Sequence, residues 1–208
     1  MIRVLLADDH TLVREGLKQL LSVAPGIAVA GEAADGDAAL ALVKANDYDI
    51  AVLDMSMPGL AGIDLIKRVK LEKPKLRVLV LSMHGEQQYA ARALKAGASG
   101  YLTKDSAAVQ LVSAIRKVAA GGVHISEAAA ALLLDGSASA DAPPHTRLSD
   151  REFEIFRALV AGESVSDIAN RLHLSAKTVS THKTRILQKM GMGSAAELVR
   201  YAVEKKLL

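Results

Sequence analysis

The sequence predicts an α/β domain built on a doubly wound, five-stranded parallel sheet, followed by a small all-α domain of four helices. Three observations carry this. Short apolar runs alternate five times with longer segments of helical spacing over residues 1–121. A stretch of small residues ending in Pro143-Pro144 then breaks the pattern. From Leu148 onward the apolar spacing is helical throughout.

The strands are expected at Ile2–Ala7, Ile27–Gly31, Ile50–Leu53, Val78–Ser82 and Gly100–Leu102. They read as nearly unbroken hydrophobes, the pattern of strands covered on both faces. The helices between and after them are expected at Leu12–Leu21, Ala38–Val43, Leu60–Val69, Glu86–Ala96 and Ala107–Ala120. Alternation of this kind argues for a parallel sheet with helices on both sides.

After Gly121-Gly122, an Ala/Leu-rich helical segment is expected at Ser126–Leu134. Asp135–Pro144 is too poor in large apolar groups to fold, and two prolines block a helix, so 122–147 reads as a linker with a short helix. Four helices follow in 148–208, at about Ser149–Ala161, Ser164–Leu172, Ser175–Met190 and Ser194–Lys205. Ser149 and Ser175 are N-cap candidates, and Glu152 is spaced to complete a capping box with Ser149.

Composition narrows the classes. The 208 residues hold no cysteine, which excludes disulfides, thiolate catalysis and Cys-ligated metal centres. The longest strictly apolar run, Ala128–Leu134, is far short of the ~20 residues of a membrane span. Asp8 and Asp9 interrupt the apolar start where a secretory signal would continue, so a soluble cytoplasmic protein is expected. Residues 147–208 carry 11 Lys/Arg against 7 Asp/Glu, and Arg171–Lys189 holds five bases and no acid. A single-sign patch of that kind suits a polyanion, with a solvated helix face as the plain alternative. Scarce aromatics, with no Trp, argue against base-stacking on single strands.

Chemistry-bearing residues collect at the carboxyl ends of the expected strands, where open α/β sheets bind ligands. Asp8 and Asp9 follow the first strand, Asp54 the third, Ser82 ends the fourth, and Lys104 lies just past the fifth. Three carboxylates suit Mg²⁺, a hard cation that prefers oxygen. One of them can attack phosphorus to give an aspartyl phosphate, with Lys104 and the Ser82 hydroxyl on the phosphoryl oxygens. Taken singly, each residue has an ordinary structural reading, and the weight lies in their convergence. His10 and His84 flank this edge, but no histidine pair has metal-ligand spacing, and both read as polar loop residues.

In the basic region, Ser164–Leu187 reads as two helices and a turn. On the second, Ile186 and Met190 fall within about 20° of Val179 and Leu187 lies about 80° away, so this side packs inward. Lys177, Thr181, Thr184, Arg185 and Gln188 fall opposite, with Ser180 at the edge of that face and Lys183 on the inward edge. Such a face suits the major groove, with bases for phosphates and short polar side chains for base edges. A helical bundle with a polar exterior has the same periodicity.

The segments Leu5–His10, Val52–Gly59, Val80–His84 and Gly97–Lys104 together resemble the receiver domain of bacterial two-component response regulators, a flavodoxin-like fold, across 1–121. Leu148–Glu152, Ala161–Ala169, Leu174–His182 and Lys189–Gly191 resemble the LuxR-type helix-turn-helix domain, over 148–204. The pair is the layout of the NarL/FixJ family. The resemblance implies that Asp54 accepts phosphate from a sensor histidine kinase. It implies Mg²⁺ held by Asp8, Asp9, Asp54 and the Ser56 carbonyl, and a switch at Ser82 and Tyr101. It further implies promoter DNA as partner, contacted from Lys177, Thr178, Ser180, Thr181, Lys183, Thr184, Arg185, Gln188 and Lys189. A homodimer of the phosphorylated form follows, with RNA polymerase as a further candidate partner and no enzyme activity on an external substrate. One departure is that Asp105 follows Lys104 where many receivers have proline after a cis bond, so a trans peptide is expected. Two rival readings remain at this stage: a Mg²⁺-dependent phosphohydrolase, and an adaptor whose helical domain binds protein.

Overall fold

The computed structural model describes all residues except 58, 84–86, 127–128, 131–142, 173, 206 and 208, and the side chains of 87 and 88. By internal contacts the chain divides into two units, Met1–Gly136 and Ser137–Leu208.

The first unit holds strands β1 (Ile2–Ala7), β2 (Ile27–Ala33), β3 (Ile50–Asp54), β4 (Arg77–Ser82) and β5 (Gly100–Thr103). They pair in the order β2-β1-β3-β4-β5, all parallel. Helices α1 (Thr11–Ser22), α2 (Gly36–Ala45), α3 (Gly62–Glu72), α4 (Gln87–Lys95) and α5 (Lys104–Ala119) make the crossovers. Because strand side chains alternate in direction, β1 sends Leu5 and Ala7 into one core with α2, α3 and α4. Val4 and Leu6 enter the other, with Leu17 and Leu21 of α1 and Leu111, Ile115 and Val118 of α5. Both faces are therefore covered, and the chain reverses direction across the sheet between β1 and β3, where such folds open a crevice.

Ordered contacts reach into 122–147 from both ends. His124 forms a parallel bridge to Gly100, and its carbonyl accepts from Tyr101 N at 2.8 Å. Ile125 packs against the core formed with α2, α3 and α4, and Ala129 is buried within it. The expected helical segment Ser126–Leu134 falls largely outside the described residues.

The second unit opens with a 3-10 turn, Pro144–Arg147, followed by α6 (Asp150–Val160), α7 (Val165–Arg171), α8 (Ala176–Met190) and α9 (Ala195–Glu204). Each α-helix starts on a serine N-cap: Ser149, Ser164, Ser175 and Ser194. Ser149 and Glu152 form the reciprocal capping box. The α8 helix ends at Gly191 in the left-handed region (φ 66°), a conformation cheap for glycine. Phe153, Phe156, Ile168, Val179, Ile186 and Leu198 are buried. His145 is buried as well, bonded through Nδ1 to the Tyr201 hydroxyl and set with its ring 6.4 Å from that of Phe153.

Candidate functional site: a carboxylate cluster at the sheet edge and the outer face of a helix-turn-helix

The parallel register places the ends of β1, β3, β4 and β5 side by side. Asp54, the last residue of β3, pairs in register with Leu81 of β4, one residue before Ser82. Asp8, Asp54 and Ser82 are all buried. Lys104 is the first residue of α5, whose N-cap Thr103 accepts from Ser106 N. From there its ammonium reaches 2.7 Å from Asp8 Oδ2 and donates to Asp54 Oδ2 at 2.9 Å. The chain has only trans peptides among the described residues, that between Lys104 and Asp105 included.

Burial pushes the Asp54 carboxyl above the ordinary aspartate range, and the Lys104 ammonium, which opposes this, does not reverse it; Asp8 adds to the rise. Burial works against charge on Lys104, but hydrogen bonds to Asp8 and Asp54 outweigh it and raise its pKa. The Tyr101 phenol is pushed up to about 12 by burial, against a hydrogen bond with Ser82, and the Asp54 charge adds to the shift.

Asp8, Asp9, His10 and Asp54 each offer a ligand atom within 4.8 Å of the others. The fit to a divalent cation can be tested on the oxygens themselves. Asp8 Oδ2 and Asp9 Oδ1 are buried without an aligned hydrogen-bond donor. Their close contacts are the Lys104 ammonium, 2.7 Å from the first, and His10 Nδ1, 2.9 Å from the second. Buried carboxylate oxygens, one of them already met by an ammonium, in a set that is almost all oxygen, match a hard cation. Ser56 N donates to Asp54 Oδ1 at 3.2 Å, which turns the loop after β3 around the carboxylate.

Two residues of this site escaped the sequence reading. His10, read there as a polar loop residue, joins the cluster, and its contiguity with Asp8-Asp9 was the available signal. Arg14, one turn into α1, donates from a guanidine N to the Asp8 carbonyl at 2.5 Å and so braces the acidic turn. His84 lies outside the described residues.

On the second unit, Val179, Ile186 and Met190 of α8 are buried, while Lys177, Ser180, Thr181, Thr184, Arg185 and Gln188 are exposed. Thr178 is half-buried, its hydroxyl 2.8 Å from that of Ser175. Lys183 is half-buried, in keeping with its place on the inward edge. Thr181 and Thr184 donate their hydroxyl protons to Lys177 O and Ser180 O, which leaves methyl groups and lone pairs for a ligand. Lys189 differs from the other expected contacts: its ammonium donates to Glu152 Oε2 at 2.6 Å. Among the described residues, no helix is long and apolar enough to cross a membrane.

A lysine-bridged carboxylate cluster at the crevice of a doubly wound sheet, joined in one chain to a helix-turn-helix, defines a regulator with a signal-receiving domain and a DNA-binding domain. Residues 4–116 match the model of the response regulator receiver domain, and residues 146–202 that of bacterial regulatory proteins of the luxR family. The chain is 35% identical over 209 residues to the response regulator UvrY of Escherichia coli O6:H1, covering 100% of this chain and 96% of UvrY. It is 37% identical over 207 residues to the probable transcriptional regulatory protein NarL of Mycobacterium tuberculosis, with coverage of 100% and 96%. Among solved structures it resembles RcsB of Salmonella enterica serovar Typhimurium bound to promoter rprA in the presence of phosphomimetic BeF₃⁻ (TM-score 0.71, 29% identity, 96% of this chain and 97% of that one). It also resembles two RcsB dimers bound to two parallel DNAs (TM-score 0.60, 29% identity, 97% and 98%). The chain belongs to the NarL/FixJ family of response regulators, which are DNA-binding transcription regulators and not enzymes. The phosphohydrolase and adaptor readings give way to it.

Proposed function

We propose that the protein is switched by phosphorylation of Asp54, with a sensor histidine kinase as donor. The observation that carries this is the Lys104 ammonium bridging buried Asp8 and Asp54 at the end of the central strand. In the transfer, an Asp54 oxygen attacks phosphorus, the O–P bond forms, and the N–P bond of the phosphohistidine breaks; the departing imidazole keeps the electron pair and takes up a proton. Asp8, Asp9, Asp54 and the Ser56 carbonyl would hold Mg²⁺, which would supply charge neutralisation for the carboxylates and the transferred phosphoryl group. Lys104 donates to one phosphoryl oxygen and Ser82 to another, and Tyr101, hydrogen-bonded to Ser82, follows the change as the switch residue.

The receiver spans 1–121, the linker 122–147 and the DNA-binding domain 148–208. In the DNA-binding domain α8 enters the major groove. Lys177, Lys183 and Arg185 neutralise phosphates. Thr181 and Thr184 read base edges with weaker help from Ser180, and Thr178 and Gln188 complete the contact region. Phosphorylation favours a homodimer whose two helix-turn-helix units read two half-sites. The RcsB dimers on DNA support this, as does the RcsB–promoter complex formed with a phosphate mimic. The setting is the cytoplasm, where RNA polymerase is a further partner.

The test is incubation with acetyl phosphate and Mg²⁺, followed by intact-mass measurement. One phosphoryl group should be added, and Asp54→Asn should remove the gain. Undiminished labelling of Asp54→Asn would place the acceptor elsewhere.

A further inference from the structure

Glu152 lies in the first turn of α6 and, with His145, is one of two buried polar side chains among the described residues of the helical unit. Its Oε2 accepts from Ser149 N at 2.8 Å and from Lys189 Nζ at 2.6 Å. One buried oxygen therefore ties the N-cap of α6 to the last turn of α8. A buried carboxylate stripped of its cation is strongly unfavourable, so this contact has a firm claim on the lysine. The Lys189 side chain is 43% exposed, but its ammonium is turned onto Glu152, and a phosphate contact would require it to leave that carboxylate.

We propose that Lys189 is a positioning residue of the recognition helix: held by Glu152, it sets the tilt of α8 against α6 and is not itself a phosphate contact. The lever is long. Thr181 precedes Lys189 by eight residues, about 12 Å along a helix. A tilt of about 5° at the Lys189 end moves Thr181 by about 1 Å, enough to spoil a hydrogen bond to a base edge. Tilt affects base readout while leaving the charge presented to phosphates unchanged.

This inference rests on α8 being the groove-reading helix, so the experiment carries a control for that. Duplexes selected by the full chain from a random-sequence pool, and scrambled versions of them, are titrated across a salt series with wild type, Lys189→Met, Lys189→Arg, Glu152→Gln and Arg185→Ala. Lys189→Met and Glu152→Gln should each weaken the selected duplex about tenfold, leave the scrambled one within about twofold, and keep the salt slope; their combination should cost no more than either alone. Lys189→Arg should restore selectivity. If Lys189→Met weakens both duplexes equally and flattens the slope by about one, or if Glu152→Gln changes nothing, the proposal is overturned. Should Lys189→Met lose its circular-dichroism helicity, Glu152→Gln and Lys189→Arg decide by the same criteria. An Arg185→Ala variant indistinguishable from wild type on every duplex would instead remove α8 from the groove, and this inference with it.

Discussion

Lys104 and Asp54 lie 50 positions apart in the chain, yet the ammonium of one donates to the carboxylate of the other at 2.9 Å. Lys104 reaches Asp8 as well, so it occupies the electrostatic position that a divalent cation would share. Replacing it with an uncharged residue of similar length removes a competing charge. Lys104→Met should therefore bind Mg²⁺ about tenfold more tightly, about 1.4 kcal/mol, while its phosphorylation by acetyl phosphate slows. Isothermal titration and intact-mass kinetics check the two halves. Weaker Mg²⁺ binding in this variant would mean the lysine organises the carboxylates more than it repels the cation.

The raised pKa of Asp54 makes a stability prediction with a definite sign. A carboxyl whose folded pKa lies above its unfolded value of 3.8 favours folding when protonated and opposes it once ionised. Wild type should thus carry a penalty at neutral pH that fades as pH falls through the raised value and is gone below 3.8. Asp54→Asn, measured without Mg²⁺, should melt at a higher temperature than wild type at pH 7, with the gap closing on acidification. A pH-independent gap would contradict the burial argument.

The two chemistries on the outer face of α8 should separate. Thr181→Ala should cost about 1–3 kcal/mol on a selected duplex and spare scrambled DNA. Arg185→Ala should weaken both and flatten the salt slope by about one. Equal losses on both duplexes for Thr181→Ala would mean that the helix sits in the groove in another orientation.

Gly36 supplies a test of the loop after Asp54. A Cβ at this first position of α2 would stand 1.5 Å from the Leu60 carbonyl oxygen, and Asp37 Oδ2 accepts from Leu60 N at 3.2 Å. Gly36→Ala must push the β3–α3 loop outward, at about 1–3 kcal/mol by the usual cost of overpacking. Denaturant melts should register that loss, and phosphorylation should slow with it. Wild-type values in both would show that the loop moves without consequence.

These residues also mark where sequence reading reaches its limit. The strand ends were legible because unbroken apolar runs terminate in Asp8, Ser82 and Asp54, and a parallel sheet gathers such ends on one edge. The inward face of α8 followed from 3.6-residue periodicity, with Val179, Ile186 and Met190 all buried. What periodicity does not encode is the partner of a charged side chain. Lys189 looks like one more base in an acid-free run, and its counter-charge Glu152 lies 37 positions earlier, on another helix. Gly36 looks like ordinary turn glycine until Leu60 is packed on it. His145 looks like linker, since nothing local announces that Tyr201 and Phe153 will enclose its ring.

The bridge between Gly100 and His124 has a mechanical side. The chain leaving α5 toward the second unit does not simply depart; it is stitched back onto β5, with His124 O on Tyr101 N at 2.8 Å and His124 N on Ser99 O at 3.1 Å. Tyr101 and the departing chain therefore move as one rib. Any sideways slip of the backbone at Tyr101 either tears those two bonds or drags the exit of the first unit along. The residue whose phenol lies within electrostatic reach of Asp54 is thus geared, through its own peptide nitrogen, to the start of the tether.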